Sequence, residues 1–494
     1  MVPFERIPGI PPLFLRYVRE GAGDFLPVGP SLDAVKARAG DLSKDGRDVW
    51  IGGGQQAGLF TGPLYSLAKA AAAAKTAQDV TKDGARVRGF FWVATEDHDL
   101  AEVSQVTLPG DTALETFHLE PASEKNFRPA GNLPIPAGVE DVFRALRAMP
   151  GLPSAETLET FERLWSPGRT FGQAFVDTMR RWIPEGALEW IDPLEGRWRD
   201  RKLAFFRRAL ESAPEIVSAL DAVDSRLRAA GFSPQVARAD GDFPCFLIED
   251  GLRRKISFDG SRFGVHGSDR TFSAAELADH AQGGGHDPSP AALLRPVLQS
   301  WLMPVAAEIL GPAELAYHAQ SAPLFPIFGL SLPILLPRPH LLPRGARERR
   351  AQEALEISDS EIFRARDAAR DGGPPAARAL KDLEARIAGD LGALAPEVES
   401  VDPTLSPVLA GTVDKVSHQL ARLREKLEKA AERKDEEKNR RLETIERSLA
   451  PGGAPADRVY TPLTYLLRFG EAFIPKILSA AQCRLDGAHF VDFP

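Results

Sequence analysis

Four consecutive side chains, Glu96-Asp97-His98-Asp99, set three carboxylates beside one imidazole. A histidine flanked by carboxylates can take a proton from an attacking group or hold a divalent ion. Upstream, Gly52-Gly53-Gly54-Gln55-Gln56-Ala57-Gly58-Leu59-Phe60-Thr61-Gly62-Pro63 joins two neutral amides to a run rich in glycine. Such amides both donate and accept, which suits hydroxyl, carboxylate or phosphoryl oxygens. Glycines let backbone amides approach an anion closely. A third group, Arg295, Gln299, Glu314, Tyr317, His318, Gln320 and Arg338, is spread along the 295–338 segment, and its arginines suit bidentate capture of carboxylate or phosphate. The glycine order is neither G-x-G-x-x-G with a ribose-binding acid nor a P-loop with its lysine. Nicotinamide dehydrogenases and P-loop NTPases are therefore disfavoured.

The elements that must carry these groups are readable around them. The glycine run follows the apolar Val49-Trp50-Ile51, and the acidic tetrad follows Phe90-Phe91-Trp92-Val93-Ala94. An alanine-rich helix from about Leu64 to Gln78 lies between. Strand, loop, helix and strand form a βαβ crossover, whose ligands sit beyond the carboxyl ends of the strands. Strand alternation puts Glu96 and His98 on one side and Asp97 and Asp99 on the other. The structural alternative for the tetrad is a hydrogen-bonded turn that caps the next helix. To about residue 110 helix and strand alternate, which implies a parallel sheet with helices on both faces. From about 111 to 275 helical patterns (Leu158–Leu164, Phe171–Trp182, Lys202–Leu210, Val217–Ala230) mix with strand-like Leu188–Ile191 and Phe246–Ile248, as expected of inserted material. A helical pattern resumes over Leu293–Ile309, and the apolar 311–339 segment reads as a return to the main sheet.

Beyond residue 345, Leu380, Leu383, Ile387, Leu391 and Leu394 recur at three- and four-residue steps, as do Val413, Val416, Leu420, Leu423, Leu427 and Ala430. This is the seam of an antiparallel helix pair, with Pro396, Pro403 and Pro407 marking its turn. Its second helix, 408–449, would run about 60 Å. The Glu432–Arg441 stretch is almost wholly polar, Pro451-Gly452-Gly453 stops the helix, and Tyr460–Ala480 forms an apolar helical tail. Two helices bury only part of such a seam, so a homodimer is expected. The expected domains are a core over 1–375, with insertions at 111–275, and a coiled-coil domain over 376–494 containing the 376–449 hairpin.

At 494 residues the chain exceeds what one core usually serves. With 43% hydrophobic and 26% charged residues it has an ordinary globular composition. A net charge of −8 gives no general attraction to nucleic acid or an anionic membrane. Two distant cysteines, Cys245 and Cys483, exclude a disulfide framework and favour a reducing cytoplasm. No secretory signal is readable at the start, and the apolar Pro323–Pro337 stretch is too short and too broken by prolines to span a bilayer.

Taken together these blocks resemble the BshC family, the cysteine-adding ligases of bacillithiol biosynthesis. The resemblance rests on Gly54 through Tyr65, on Phe91 through Asp99, and on Leu294-Arg295-Pro296-Val297-Leu298-Gln299. It continues in Gly311 through Gln320 and in Pro333-Ile334-Leu335-Leu336-Pro337-Arg338. Thr170-Phe171, Asp192-Pro193 and Gly231-Phe232 support it between. Gly53 stands where the family usually has threonine, and His318 where tryptophan is common. The resemblance implies a Rossmann-like parallel sheet core with connecting-peptide insertions, plus a C-terminal α-helical antiparallel coiled coil used for dimerisation. It further implies that the carboxyl of cysteine is joined to the free amine of glucosaminyl-malate.

Amide formation from a free carboxylate is uphill, so activation by ATP or another nucleotide is expected, with ATP giving an acyl-adenylate or acyl-phosphate. In this scheme His98, helped by Asp97 or Asp99, removes a proton from the attacking ammonium. Gly54, Gln55, Gln56, Thr61, Gly62, Glu96, Gln299, Tyr317 and Gln320 bind substrate or anion. Arg295 or Arg338 neutralises malate or phosphate. No metal-ligating set is assigned. Two other readings remain: a nucleotidyl- or aminoacyl-transferase on a related amino-sugar, and a non-enzymatic coiled-coil scaffold.

Overall fold

The computed structural model describes the chain except residues 22, 83, 85, 110–113, 120–126, 149–154, 366–374, 403–404 and 435, and the side chains of 375 and 430–434. The central sheet is built from β1 (Val49–Gln55), β2 (Val87–Val93), β3 (Glu189–Ile191), β4 (Val305–Leu310) and β5 (Ile334–Pro337). All neighbours pair in parallel, in the order β5-β4-β1-β2-β3. The chain runs outward from β1 to β3, then returns to the other side of β1 at β4. The order therefore reverses between β1 and β4, the place where open α/β sheets form a ligand crevice. The strands are buried on both faces. Ile51, Phe90 and Phe91 are fully buried and Trp92 nearly so, which is why their sequences are apolar runs and not alternating patterns. The predicted return of the 311–339 segment to the sheet is observed as β5.

Helix α1 (Leu64–Thr81) crosses from β1 to β2. Helix α2 (Arg295–Leu302) precedes β4, and α3 (Pro312–Ser321) follows it. The helical pattern expected through Ile309 stops at Leu302, because Pro304 breaks it and Val305–Leu310 form a doubly buried strand. The glycines also differ from expectation. Gly52, Gly53 and Gly54 lie inside β1, with Gly54 opposite Trp92. A Cβ on Gly53 would come 2.6 Å from the Ile309 carbonyl oxygen, and one on Gly54 2.7 Å from that of Trp92. Their side-chain hydrogens permit close strand packing, so Gly54 is not part of an anion loop. The loop begins at Gln56.

The insertion holds a second, antiparallel sheet that sequence periodicity did not reveal. Its strand order is Thr271–Phe272, Phe263–Val265, Leu252–Phe258, Asp242–Glu249 and Asp287–Pro290. The insertion thus reaches Pro290, beyond the expected limit at 275. The helical patterns of the region appear as Ala155–Leu164, Phe171–Trp182, Arg199–Glu211 and Ala213–Ala229.

By packing, the chain divides into one unit of residues 1–343 and 454–493 and another of 344–453 and Pro494. This differs from the expected division at 375/376. The C-terminal tail belongs to the first unit because Gly487–Asp492 pairs with Val2–Pro3 and the apolar Leu463, Tyr465, Phe473 and Ile477 are buried. In the second unit α4 (Pro375–Ala393) packs along α5 (Ser406–Lys434), joined by Arg424 Nη1 to Glu384 Oε2 at 3.2 Å. Of the expected helix 408–449 the described residues form α5 and Glu436–Leu449, with 435 between them outside the described residues; Glu436–Leu449 rests on Ala346–Ala354. Seam residues Leu380, Leu383, Ile387, Val413, Val416 and Leu420 are only half-buried, and Leu394 and Leu423 are exposed. Pro403 of the predicted turn, the Ala430 side chain and the 432–435 part of the polar stretch lie outside the described residues. Among the described residues no helix is long and apolar enough to cross a membrane.

Candidate active site

The carboxyl ends of β1, β2 and β4 bring three polar systems to one rim. At the switch point stands Lys69 of α1, 1% exposed. Its ammonium donates to Glu314 Oε2 at 2.5 Å, Gly54 O at 2.8 Å and Gln55 Oε1 at 3.1 Å. Three donors meet three acceptors, so the charge is fully partnered. Burial pulls the Lys69 pKa down, only partly opposed by Glu314. Glu314 also accepts from the Gly311 amide at 2.6 Å at the start of α3. Gln55 is held through its oxygen, while its Nε2 lies 3.4 Å from the Tyr65 hydroxyl.

Past β2 the chain turns sharply, so the tetrad is not a continued strand. Asp97 accepts from the Gln56 amide at 3.0 Å and from the His98 backbone at 2.8 Å. Arg253 Nη1 lies 3.4 Å away, and Arg295 Nη2 3.9 Å. Burial works against the Asp97 charge, yet Arg295 and Arg253 outweigh it and hold the carboxyl below its usual range. Arg253 comes from the second sheet. It is fixed by Ser289 Oγ at 2.9 Å and Pro290 O at 2.9 Å, and its guanidinium lies 3.9 Å from the Phe246 ring centroid. Its Nη1 also sits 2.8 Å from His98 Nδ1. Guanidinium only donates, so Nδ1 must accept and the ring proton resides on Nε2. Burial, then Arg253, lowers the His98 pKa. The lone pair a general base would use is occupied, and the base role expected of His98 is not supported. Asp99 is exposed and caps the helix Leu100–Val103 by accepting from Glu102 N at 3.2 Å, which is the structural alternative foreseen for the tetrad. Glu96 is 2% exposed, with no hydrogen-bond partner for either oxygen among the described residues. Burial raises its pKa against the pull of Arg295 and Arg253.

The glycine loop walls a cavity of about 330 Å³, whose lining includes Gln55, Gln56, Gly58, Gly62, Glu102 and Arg458. Within the loop Phe60 (φ 51°) and Thr61 (φ 76°) are both left-handed. A β-branched residue there is strained, and such strain collects at functional sites. Packing holds it in place: Phe60 lies against Phe143, Trp165 and Phe161 at 5.2, 5.6 and 6.1 Å. The buried hydroxyls of Thr61, Ser66 and Thr461 have no hydrogen-bond partner among the described residues. Glu102 lines this cavity and is exposed to solvent. Desolvation, then the charges of Asp99 and Asp97, outweigh a hydrogen bond from Gln56 and raise its pKa.

The structure therefore gathers Gln55, Gln56, Thr61, Gly62, Glu96, Asp97 and Arg295 at this rim. Arg295 is placed by α2; its Nε is buried without a hydrogen-bond partner, and Gln299 lies one turn further on the same face. Tyr317 of α3 stacks on His318 at 5.1 Å, and burial pushes its phenol pKa up. Two expected ligands are corrected. Gln320 is a structural staple, bonded to Asp224 at 2.8 Å and to the Val236 carbonyl and amide at 3.0 and 2.9 Å. Arg338 is committed to Asp457 at 2.8 Å and Pro339 O at 2.9 Å, and packs over Tyr65. His318 braces β4 against α3, with Nε2 3.0 Å from Glu308 and Nδ1 2.7 Å from the Glu314 carbonyl. Sequence reading missed Lys69, Glu102 and Arg253. Lys69 left a usable signal, a lone charge on the buried face of an alanine helix. Arg253 left none, since its role depends on a tertiary approach.

A family model described as the N-terminal Rossmann-like domain of bacillithiol biosynthesis BshC matches residues 31–339. A second, the C-terminal coiled-coil domain of BshC, matches 354–491. The chain is 31% identical over 424 residues to a protein of Solibacter usitatus, covering 84% of this chain and 79% of that one. It is 30% identical over 434 residues to one of Thermus thermophilus, covering 85% and 84%. Identity to one of Geobacillus kaustophilus is 28% over 483 residues, covering 94% and 88%. All three bear the name "Putative cysteine ligase BshC".

Proposed function

The chain belongs to the BshC family of bacillithiol biosynthesis, and on that premise we propose that its β1–β2–β4 rim joins the carboxyl of cysteine to the free amine of glucosaminyl-malate. The observation that carries this reading is the 3.0 Å hydrogen bond from Gln56 to Asp97. It links Gln56, which lines the glycine-loop cavity, to the arginine-flanked acid cluster, and so supports reading the two as one polar site. Arg295, with its buried unpartnered Nε, is suited to the malate carboxylates. Glu96, whose oxygens are both free, is suited to an ammonium.

We propose ATP as the activator, which when bound supplies a phosphoryl or nucleotidyl group to the cysteine carboxyl. The unpartnered Ser66 and Thr461 hydroxyls and Arg458, all lining the cavity, fit its phosphate oxygens. The attacking ammonium must lose a proton, and a carboxyl of raised pKa inside the cavity is matched to that task. Glu102 takes the part expected of His98, while neutral His98 orients Arg253. Deleting the gene in its own organism tests the function: bacillithiol should vanish and glucosaminyl-malate accumulate, with both reversed by the wild-type gene. Undiminished bacillithiol would reject it.

The chain is further proposed to work as a homodimer in the cytoplasm, paired through the second unit. The half-buried seam and the exposed Val401 (81%) and Val408 (60%) supply apolar surface that one hairpin leaves uncovered.

A further inference from the structure

Away from this rim, three residues distant in sequence converge on one point. Glu249 ends the strand Asp242–Glu249, His280 lies in the last turn of the helix Ala274–Gln282, and His286 precedes the strand Asp287–Pro290. Glu249 Oε1 is 2.9 Å from His280 Nε2 and 3.3 Å from His286 Nε2. The three donor atoms all lie within 4.8 Å of one another. Bonds of ~2.0–2.1 Å in a tetrahedron put neighbouring ligand atoms about 3.3 Å apart, so the observed spacings fit with little movement.

The surroundings fix these groups as metal ligands are usually fixed. His286 Nδ1 lies 2.7 Å from the His280 carbonyl oxygen, so Nδ1 carries the proton. In the neutral ring Nε2 is then a bare lone pair aimed at a carboxylate oxygen. Two acceptors facing each other need a cation between them. Glu249 turns its other oxygen, Oε2, towards Arg254 Nε at 3.4 Å, leaving Oε1 for the two imidazoles. The side chains are about one-fifth exposed, at 24%, 17% and 19% for His280, His286 and Glu249, so solvent can fill a fourth position.

We propose that Glu249, His280 and His286 bind a divalent transition-metal ion of the Zn2+ type through two nitrogens and one oxygen. Two nitrogens with a single carboxylate oxygen disfavour Mg2+ and Ca2+, which take oxygen ligands. The ion would clasp the helix and the Gly283-Gly284-Gly285 turn to the hairpin Asp242–Phe258. On that hairpin Ile248 pairs with both Arg253 and Asp287. The site therefore stiffens the strands that deliver Arg253 to Asp97.

The test is a Co2+ titration of chelator-treated full chain, free of any histidine tag, followed by its visible absorption. Wild type should take up one equivalent with a tetrahedral d–d band that Zn2+ abolishes, and its Tm should rise on loading. His286→Gln and Glu249→Gln, each checked by circular dichroism, should bind at least ~10-fold more weakly and lose the Tm rise. A wild-type chain with no saturable band would overturn the proposal, leaving an imidazolium–carboxylate pair. So would a band that persists in a folded His286→Gln chain. Neither readout depends on ligase turnover.

Discussion

Asp97 and His98 sit side by side, and their different partners give them different work. Asp97 is held ionised by two guanidiniums and receives Gln56, whereas His98 spends its lone pair on Arg253. Glu102→Gln should therefore lower kcat/KM by about 10²–10⁴-fold, the usual worth of a general base. His98→Gln, which can still accept from Arg253, should cost less than about 10-fold. In the wild type kcat/KM should fall as pH drops through a value above the ordinary carboxylate range, and Glu102→Gln should lose that limb of the profile. A His98 loss larger than the Glu102 loss would reverse the assignment. Glu96 gives a stability test. Its folded pKa is raised by burial, so its contribution is fully present below the unfolded pKa and lost as pH rises through the folded value. Glu96→Gln should raise Tm near neutral pH and change it little below pH ~4. Thermal melts at the two pH values measure the difference.

At the scale of elements, the crossover from Val49 to Val93 was legible because its strands are apolar runs and its loop is punctuated by glycine and proline. The tail and the second sheet were less so. Gly487–Asp492 has no apolar run of its own and gains its place by pairing with Val2–Pro3. Leu252–Phe258 carries three charges and is stabilised by neighbours on both sides. Of the site, residues adjacent to a strand end were readable, and Lys69 could have been from its lone charge in an alanine helix, while Arg253, delivered by packing, was not. Gln320 and Arg338 show the converse: polar residues near the rim held by structural partners, Gln320 by Asp224 and Val236, and Arg338 through Nη1 by Asp457 and Pro339. Lys69→Met should cost about 3 kcal/mol or more, since it strands Glu314 without its counter-charge. The double variant Lys69→Met with Glu314→Gln should recover part of that in denaturant melts. Full additivity of the two single losses would deny the coupling.

For the whole molecule, the hairpin and the ligase site make separate demands. Val401→Glu with Val408→Glu should shift sedimentation from dimer to monomer if the exposed seam is the interface. An unchanged monomer in the wild type at micromolar concentration would remove the dimer. Ligase activity requires the glycine-loop cavity and the Asp97 cluster to act as one substrate site. Calorimetry of glucosaminyl-malate binding to wild type, Gln56→Ala and Arg295→Ala tests this most directly. Hydrogen bonds to charged groups are worth ~1.5–3 kcal/mol, so each variant should bind about 10- to 100-fold more weakly. Wild-type affinity in both variants, with their folds intact, would contradict the claim.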